Sequence, residues 1–232
     1  MEKDNSKLQN RLSKIWQPPD FISFFEKFAQ KPLRTIKKRT ILFNESDPLS
    51  RLYCIKSGFV KLYRLSKGGK ESTIYLYGPG HVLGVRALTS QDKCARHNAE
   101  AITNLQILTI ERGEYFNILT DHPQYLLDLL HIFISRLNYT ERKLEGFILT
   151  DATARVAYFL LDCANRFCDG QKSRIKLPLS LTHQRIAEFV GSTRETVTLA
   201  IQRLEKDGVL TVNRGQVLIL DLEKLHERAM FE

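Results

Sequence analysis

Residues 181–213, LTHQRIAEFVGSTRETVTLAIQRLEKDGVLTVN, carry the most specific structural pattern in this chain. Thr182 can cap a first helix, because its hydroxyl can accept a hydrogen bond from a backbone amide one turn on. Apolar residues then follow at helical spacing and form one face: Ile186, Ala187, Phe189 and Val190. Gly191 ends that helix, since glycine adopts left-handed backbone at little cost. The pattern predicts two short helices joined by a tight turn and followed by a strand.

The second helix carries polar residues near its N-terminal end. Ser192 restarts the chain, and Glu195 three residues later completes a capping-box pattern. The apolar stripe of this helix consists of Val197, Ile201 and Leu204. Arg194, Glu195 and Thr198 lie off that stripe. A helix-turn-helix inserts this end into the major groove of DNA, where arginine suits guanine and glutamate suits the cytosine amino group.

A β-hairpin is predicted after the second helix. Gly208 opens it, VLTV and VLIL form its strands, and NRGQ forms its turn, which is the composition of a wing. The residues expected to contact DNA are Thr182, Gln184, Ser192, Thr193, Arg194, Glu195, Thr196, Thr198 and Arg214. The alternative is an ordinary helical hairpin, in which Arg194 and Glu195 form a solvated ion pair. The agreement of turn, cap, polar end and wing favours DNA binding.

Length and composition define the class of protein. The 232 residues suit two modest domains. No apolar run is long enough to cross a membrane, and the first residues, MEKDNSKLQNRLSK, contain no apolar signal-peptide region. We therefore expect a cytosolic protein without a membrane partner.

Cysteines, histidines and net charge are less informative. The four cysteines form no CxxC pair and are expected to be reduced thiols: Cys54, Cys94, Cys163 and Cys168. The six histidines show no metal-ligand spacing, so no metal site is expected. The net charge is +9, but residues 151–232 hold 12 Lys/Arg against 11 Asp/Glu, whereas residues 1–150 hold 23 against 15. The motif, and not the charge, therefore carries the DNA-binding prediction.

The rest of the chain divides into an arm, a β domain and a long helix. Residues 1–19 are polar and end in two prolines, which is typical of a flexible arm. Phe21 to Phe28 predicts a short aromatic helix. From about Ile41 to Ile110, short β runs punctuated by glycine predict a jelly-roll-like β-roll. No hydrolytic triad or phosphate-binding loop occurs in it, so no catalytic residue is expected.

Asp121 to Thr150 predicts a long helix with a coiled-coil seam. Its seam positions alternate spacings of four and three: Leu126, Leu130, Phe133, Leu137, Thr140, Leu144 and Phe147. A parallel homodimer is favoured over packing on the same chain, because a DNA-binding dimer needs a two-fold contact. Asp151 is expected to cap a further helix that runs to about Phe167.

The predicted fold is therefore α+β, with four parts. They are an arm (1–19), a β-roll sensing domain (20–120), a dimerisation helix (121–150) and a winged helix-turn-helix domain (151–232). This order is similar to that of the Crp/Fnr family of bacterial transcription regulators. Three motifs carry the resemblance: Ile41-Leu42-Phe43 before Asp47-Pro48, Gly58 before Val60-Lys61-Leu62, and Gly191 to Val197. Ser46 departs from the family, which usually has a glycine there.

The resemblance implies a DNA-binding regulator that works with RNA polymerase and senses a small molecule. The cyclic-AMP type needs a glutamate where Val85 stands and an Arg-Ser pair where Ala95-Arg96 stands. The iron–sulfur type needs an N-terminal cysteine cluster, but the first cysteine is Cys54. A haem would need axial ligands, and His81 and Cys54 lie in no haem motif. Cyclic AMP, haem and an iron–sulfur cluster are therefore not expected, and no resident cofactor is predicted.

A fourth sensor type of the family fits better. The spacing of Gly84-Val85, Arg96, Arg136 and Glu141 resembles that in the NtcA type, the global nitrogen regulators of cyanobacteria and some plastids, which sense 2-oxoglutarate. A dicarboxylate needs fixed cations, and arginine binds a carboxylate through two hydrogen bonds. The expected effector site is Gly84, Val85, Arg86, Arg96, Arg136 and Glu141, at the level of Thr140.

Three positions depart from the nitrogen-regulator type. Arg86 stands where that type has an apolar residue, Glu195 replaces a valine, and Leu199 replaces an arginine. The resemblance still implies nitrogen regulation and, if the gene is plastid-encoded, a place in the plastid stroma.

The sequence therefore predicts a homodimeric transcription regulator that binds a near-palindromic operator and responds to a small anion such as 2-oxoglutarate. One alternative is a constitutive regulator with no effector, or with a different one. Another is a cupin-like enzyme with an accessory helical domain, although the clustered His and Glu of a cupin metal site are not found.

Overall fold

A short aromatic helix precedes the β-roll. The computed structural model describes residues 20–88, 94–168 and 173–229, and the predicted arm at 1–19 lies outside them. Helix α1 spans Phe21–Phe28, as the sequence predicts, and the Asp20 carboxylate caps it by accepting from the Ser23 amide at 3.1 Å. The buried rings of α1 pack on the outer face of the roll together with the start of the long helix.

Eight strands in two antiparallel sheets form the predicted β-roll. The strands are β1 Arg34–Ile36, β2 Ile41–Phe43, β3 Arg51–Ser57, β4 Val60–Leu65, β5 Glu71–Tyr77, β6 Val82–Leu83, β7 Asn98–Ala101 and β8 Leu105–Glu111. One sheet has the order β1-β8-β3-β6 and the other has the order β2-β7-β4-β5. An apolar core lies between the sheets. Strand β5 is the last strand of its sheet, so its outer edge faces the helices.

The seam helix begins later than the sequence predicts. Helix α2 spans Arg112–Asp121, a 3₁₀ turn covers Pro123–Tyr125, and helix α3 spans Leu126–Leu149. Proline has no amide hydrogen and ends a preceding helix. Asp121 therefore ends α2 and does not begin the seam helix, so the prediction of one helix from Asp121 was wrong.

Helix α3 keeps an apolar stripe exposed. Six of the predicted seam positions have exposed apolar side chains: Leu126, Leu130, Phe133, Leu137, Leu144 and Phe147. Four neighbouring apolar residues are exposed as well: Leu127, Ile134, Ile148 and Leu149. The single chain thus leaves uncovered the face that the sequence assigns to a dimer contact.

The C-terminal domain is a winged helix-turn-helix. Asp151 caps helix α4, Ala152–Phe167, by accepting from the Ala154 amide at 2.8 Å, which confirms the predicted helix. The remaining elements are β9 Ser173–Lys176, α5 His183–Val190, α6 Arg194–Lys206, β10 Leu210–Asn213, β11 Gln216–Asp221 and α7 Leu222–Ala229. Strands β10 and β11 form the predicted hairpin, and β9 adds a third strand that the sequence pattern does not predict.

The two domains share apolar contacts. The core of the C-terminal domain includes Phe59, Leu76 and Ile102 of the roll. In the described part of the chain, no helix is both long and apolar enough to cross a membrane.

Candidate DNA-binding face and effector cavity

The turn between α5 and α6 has the geometry that the sequence predicts. Thr182 Oγ1 accepts from the Arg185 amide at 3.2 Å. Gly191 has left-handed backbone, with φ 61° and ψ 44°. A Cβ atom at this position would lie 2.7 Å from Phe147 Cε1. Gly191 therefore permits both the tight turn and its contact with the end of α3.

The N-terminus of α6 differs from the prediction by one residue. Thr193, not Ser192, is the cap, and its Oγ1 accepts from the Thr196 amide at 3.2 Å. Because the helix begins one residue later than expected, Thr196 takes the position that Glu195 would need in a capping box. The predicted pairing of Ser192 with Glu195 was therefore wrong. The backbone amide of Glu195 and the Thr193 hydroxyl hold the pKa of the Glu195 carboxyl below its usual value.

The exposed end of α6 presents a cation and an anion. Arg194 and Glu195 are both exposed, and Leu199 one turn on is 57% exposed. Thr198 differs, because its Oγ1 donates to the Arg194 carbonyl at 2.8 Å and lies 2.8 Å from His183 Nδ1. Thr198 thus joins α6 to α5 and positions the end that Arg194 and Glu195 present.

The other expected DNA contacts lie around this end. Gln184 is exposed on α5, and its amide donates to Glu188 Oε1 at 3.0 Å. Arg214 is exposed at the tip of the wing, where it and Gly215 have φ of 49° and 79°. Two consecutive residues with positive φ suit a two-residue hairpin turn. This turn holds the Arg214 side chain beyond the strands.

The expected effector residues occupy different environments. Gly84 has φ 80°, and a Cβ there would lie 2.4 Å from the Arg51 carbonyl oxygen. Val85 is buried, whereas Arg96 and Glu141 are exposed. Arg136 is half-buried on α3, and its Nη2 donates to the Val82 carbonyl at 2.9 Å. Of this set, Arg136 thus reaches the backbone just before Gly84, and Glu141 points to solvent.

Arg86 and Arg136 both act on His97. Burial lowers the pKa of His97, and the positive charges of Arg64, Arg86 and Arg136 lower it further, against the opposing charge of Glu45. Arg86 and Arg136 are thus the two predicted effector cations whose charges reach His97, the neighbour of Arg96.

The polar residue of the seam, Thr140, binds within its own chain. Its Oγ1 donates to the Arg136 carbonyl at 2.8 Å and lies 2.6 Å from Tyr75 Oη. The layer around Thr140 thus links α3 to strand β5 of the roll.

A cavity of about 490 Å³, here called the junction cavity, lies where the roll, α3 and α4 meet. Its walls include Tyr75, Tyr77 and residues 79–82 of the roll; Arg136, Tyr139 and Arg142 of α3; and Tyr158, Asp162 and Arg166 of α4. Arg166 Nη1 pairs with Asp162 Oδ2 at 2.9 Å, and its Nη2 donates to the Leu76 carbonyl at 2.7 Å. The cavity therefore touches both the roll and the first helix of the C-terminal domain.

His81 completes the polar wall of the junction cavity. Its Nδ1 lies 3.1 Å from the Gly78 carbonyl, and its Nε2 lies 3.0 Å from Arg166 Nη2. Burial, with a further contribution from the Arg166 charge, lowers the pKa of His81 to about 4. His81 is therefore neutral near pH 7, with Nδ1–H donating to the carbonyl and Nε2 accepting from Arg166.

Comparison with known proteins agrees with this geometry. Residues 33–122 match the cyclic nucleotide-binding domain, and residues 154–228 match the Crp-like helix-turn-helix domain. The chain belongs to the Crp/Fnr family of transcription regulators. It is thus a regulator with a DNA-binding helix-turn-helix and an effector-type domain, and it is not an enzyme.

Two curated relatives cover most of this Crp/Fnr chain. A CRP-like cAMP-activated global transcriptional regulator of Mycobacterium tuberculosis is 33% identical over 189 residues, which are 81% of this chain and 84% of the relative. A global nitrogen regulator of Synechocystis is 30% identical over 188 residues, again 81% and 84%.

Solved structures show the same fold. FixK2 from Bradyrhizobium japonicum has a TM-score of 0.76 at 22% identity and covers 86% of this chain and 97% of its own. A Crp/Fnr-family transcriptional regulator from Thermus thermophilus has a TM-score of 0.70 at 26% identity. The match covers 85% of this chain and 98% of that structure's chain.

Most residues that line the junction cavity of this Crp/Fnr regulator were not predicted from the sequence. The alternation of Tyr75 and Tyr77 on β5 places both on one face of the sheet, and the i,i+4 spacing of Asp162 and Arg166 indicates a helical ion pair. Neither pattern shows that the two pairs meet, because the meeting depends on how α4 docks on the roll. In the described residues, no group of three or more His, Cys, Asp or Glu side chains could hold a metal ion.

Proposed function

We propose that this Crp/Fnr regulator binds a near-palindromic operator as a homodimer and that a small anionic effector modulates the binding. The observation that carries the DNA-binding part is the exposed N-terminal end of α6, with Arg194 and Glu195 free of the domain core. Arg194 reads a guanine and Glu195 the paired cytosine, while Gln184, Thr182, Ser192, Thr193, Thr196 and Arg214 contact phosphate or base edges. Thr198 supports them through α5.

The homodimer forms through the apolar stripe of α3. The exposed stripe suits a two-fold contact, which places two recognition helices in successive major grooves about 34 Å apart. The operator is therefore expected to have two related half-sites. RNA polymerase is the further partner that a regulator of this family needs at a promoter.

The effector is a small anion held by arginines of the roll and α3. The charges of Arg86 and Arg136 both lower the pKa of His97, which follows Arg96 in the chain. Gly84 and Val85 lie at the turn before Arg86, and Glu141 lies further along α3. Arginine suits carboxylates, and the likeness to a global nitrogen regulator supports 2-oxoglutarate and a role in nitrogen regulation. The likeness to a cAMP-activated regulator makes cyclic AMP the competing ligand, but Val85 is buried and apolar where that chemistry needs a carboxylate.

The decisive experiment is in vitro selection of bound DNA from a random library, with and without millimolar 2-oxoglutarate. We expect a two-fold motif to be enriched and its affinity to change when 2-oxoglutarate is added. Enrichment that is equal with and without any metabolite would instead support a constitutive regulator. Failure to enrich any sequence at modest salt would contradict the DNA-binding function.

A further inference from the structure

We propose that the junction cavity binds an aromatic carboxylate and that this ligand contacts the DNA-binding domain directly. The inference rests on the proposed effector function and names the class of effector and its place. A volume of about 490 Å³ suits a small organic molecule. The charge and the aromatic walls of the cavity indicate the class of ligand, and the position of the cavity indicates what the ligand contacts.

The walls of the cavity carry an excess of positive charge. Arg136, Arg142 and Arg166 line it, and Asp162 is the one acid among the described lining residues. Asp162 already pairs with Arg166 at 2.9 Å. No carboxylate in the described residues lies within ion-pair distance of Arg136 or Arg142: Arg136 donates to the Val82 carbonyl, and Arg142 hydrogen-bonds to the Tyr158 side chain. The charge of Arg142 also acts on Asp162, so that one carboxylate faces two arginines. An anionic ligand would supply the missing negative charge.

Aromatic rings form the second part of the wall. The rings of Tyr75 and Tyr77 stack with centroids 5.6 Å apart, and those of Tyr75 and Tyr139 lie 5.3 Å apart. Arg136 lies 5.3 Å above the Tyr77 ring, and Arg166 lies 5.5 Å above the Tyr139 ring. A flat ring can extend such a stack of rings and guanidinium planes. A short aliphatic acid would leave this surface uncovered.

Two buried donors in the same wall lack partners. Tyr77 is 4% exposed, and neither its hydroxyl nor Arg136 Nε has a hydrogen-bond partner. Buried polar groups are almost always paired. Both residues line the cavity, so a small shift of either side chain would present its donor to a ligand carboxylate. The unpaired donors therefore favour an anion beside Tyr77 and Arg136.

The chemistry favours a carboxylate over a nucleotide. A nucleotide would also need acceptors for its sugar hydroxyls, and Asp162, the one acid among the described residues of the wall, already pairs with Arg166. An aromatic carboxylate needs only the cations, the unpaired donors and the rings that the cavity supplies.

The ligand would act directly on the docking of the DNA-binding domain. Arg166 belongs to α4, and it holds the Leu76 carbonyl and His81 Nε2 of the roll. An anion beside Arg166 competes with these contacts and with Asp162. Binding therefore shifts the angle between α4 and the roll, in addition to any change along α3.

Calorimetric titration of the full-length protein with phenylpyruvate tests the proposal. Pyruvate lacks the ring, 2-oxoglutarate replaces it with a second carboxylate, and cyclic AMP presents a purine and a phosphate. We expect phenylpyruvate to bind once per protomer and at least tenfold more tightly than pyruvate. Arg136→Gln and Tyr77→Phe should each weaken phenylpyruvate binding about tenfold or more, whereas Glu145→Gln, an exposed change on α3 outside the cavity, should not.

The outcomes separate this proposal from the proposed function. Binding of 2-oxoglutarate or cyclic AMP without binding of phenylpyruvate would overturn the aromatic class and leave an effector-controlled regulator. Phenylpyruvate binding that Arg136→Gln and Tyr77→Phe both leave unchanged would overturn the location. If no small molecule binds while the operator is still selected, this inference fails together with the effector, and DNA binding stands.

Discussion

At the scale of single residues, the DNA-binding face depends most on Arg194. If Arg194 reads a guanine as proposed, replacing it with alanine removes two donors to that base, so the free energy of operator binding should weaken by about 1–3 kcal/mol and specificity should relax at one base pair. Fluorescence anisotropy with operator duplexes varied at each position measures both effects. Lys206→Ala removes the same charge from the far end of α6 and should leave the base preference intact. Unchanged binding to the best operator would contradict the assignment of Arg194.

Lys143 is a half-buried cation whose protonation the fold opposes. Its Nζ donates to the Thr73 and Ile74 carbonyls at 2.9 and 3.4 Å, and burial lowers its pKa to about 8. An unfolded lysine has a pKa near 10.4. Between these values the unfolded chain binds more protons, so stability rises with pH across that window, and the charged amine costs stability below about pH 8.

Lys143→Met should therefore alter the pH dependence of stability. The quantity to compare is the free energy of unfolding of Lys143→Met minus that of wild type. This difference should be most positive at pH 7, and it should fall by on the order of 2 kcal/mol by pH 10 because wild type becomes more stable. Urea denaturation at both pH values measures this change. Lys67→Met, at an exposed lysine, controls for the loss of one charge. A difference between Lys143→Met and wild type that does not change with pH would contradict the prediction.

Residue-level predictions succeeded where the cause is local. Thr182, Gly191 and Asp151 act as the sequence predicts, because a cap depends on its own residue and the next turn. Ser192 was wrong by one position, since Thr193 offers the same hydroxyl. Lys143 and His81 could not be predicted, because distant segments bury them.

At the scale of elements, the exposed stripe of α3 should hold two copies of the chain together. Leu137 is 56% exposed in the single chain and lies in the middle of the stripe. Leu137→Glu would place two carboxylates in an apolar contact, so the protein should become monomeric at micromolar concentration and lose cooperative operator binding. Analytical ultracentrifugation measures the mass. Asn138→Glu adds the same charge on the neighbouring face and should remain dimeric, and a dimeric Leu137→Glu protein would rule out this seam.

The predicted bounds of the helices agree with the structure except where a helix-breaking residue and an apolar period gave opposite predictions. The apolar period predicts α3 correctly from Leu126 onward, and the glycine spacing predicts the roll. Pro123 should have outweighed the period at Asp121, since proline breaks a helix. Strand β9 is short, and its pairing with β11 bridges a long stretch of chain, so no local pattern predicts it.

At the scale of the whole molecule, an aromatic contact joins the DNA-binding domain to the roll. The Phe167 ring, at the end of α4, lies 5.1 Å from the Phe59 ring in an edge contact. A Cβ at Gly78 would lie 2.7 Å from Phe167 Cε1 and 2.8 Å from Phe59 Cε1. Gly78→Ala should therefore force these rings apart.

The expected result of Gly78→Ala is looser docking and a loss of about 1–3 kcal/mol of stability. Hydrogen exchange should quicken at the end of α4 and in β5. Gly113→Ala is the matched control, because a Cβ there meets nothing within 4 Å. It should be neutral or stabilising by up to about 1 kcal/mol. Equal exchange in Gly78→Ala and wild type would show that this contact does not fix the domain.

The contacts between the two domains could not be predicted from the sequence. Phe59, Leu76 and Ile102 have the alternation of roll residues, yet they join the core of the C-terminal domain. Periodicity shows that such residues are buried, but not which partner buries them. The junction cavity has the same cause, since its walls come from three segments far apart in the chain.

The outer edge of β5 has one more consequence. A bare strand edge can pair with a strand of another molecule and begin aggregation. Here Lys143 and Arg166 donate to the Thr73 and Leu76 carbonyls along that edge, so these acceptors are no longer available to a foreign strand. The side chains that attach the helices to the roll therefore also hinder the pairing of β5 with a strand of another molecule.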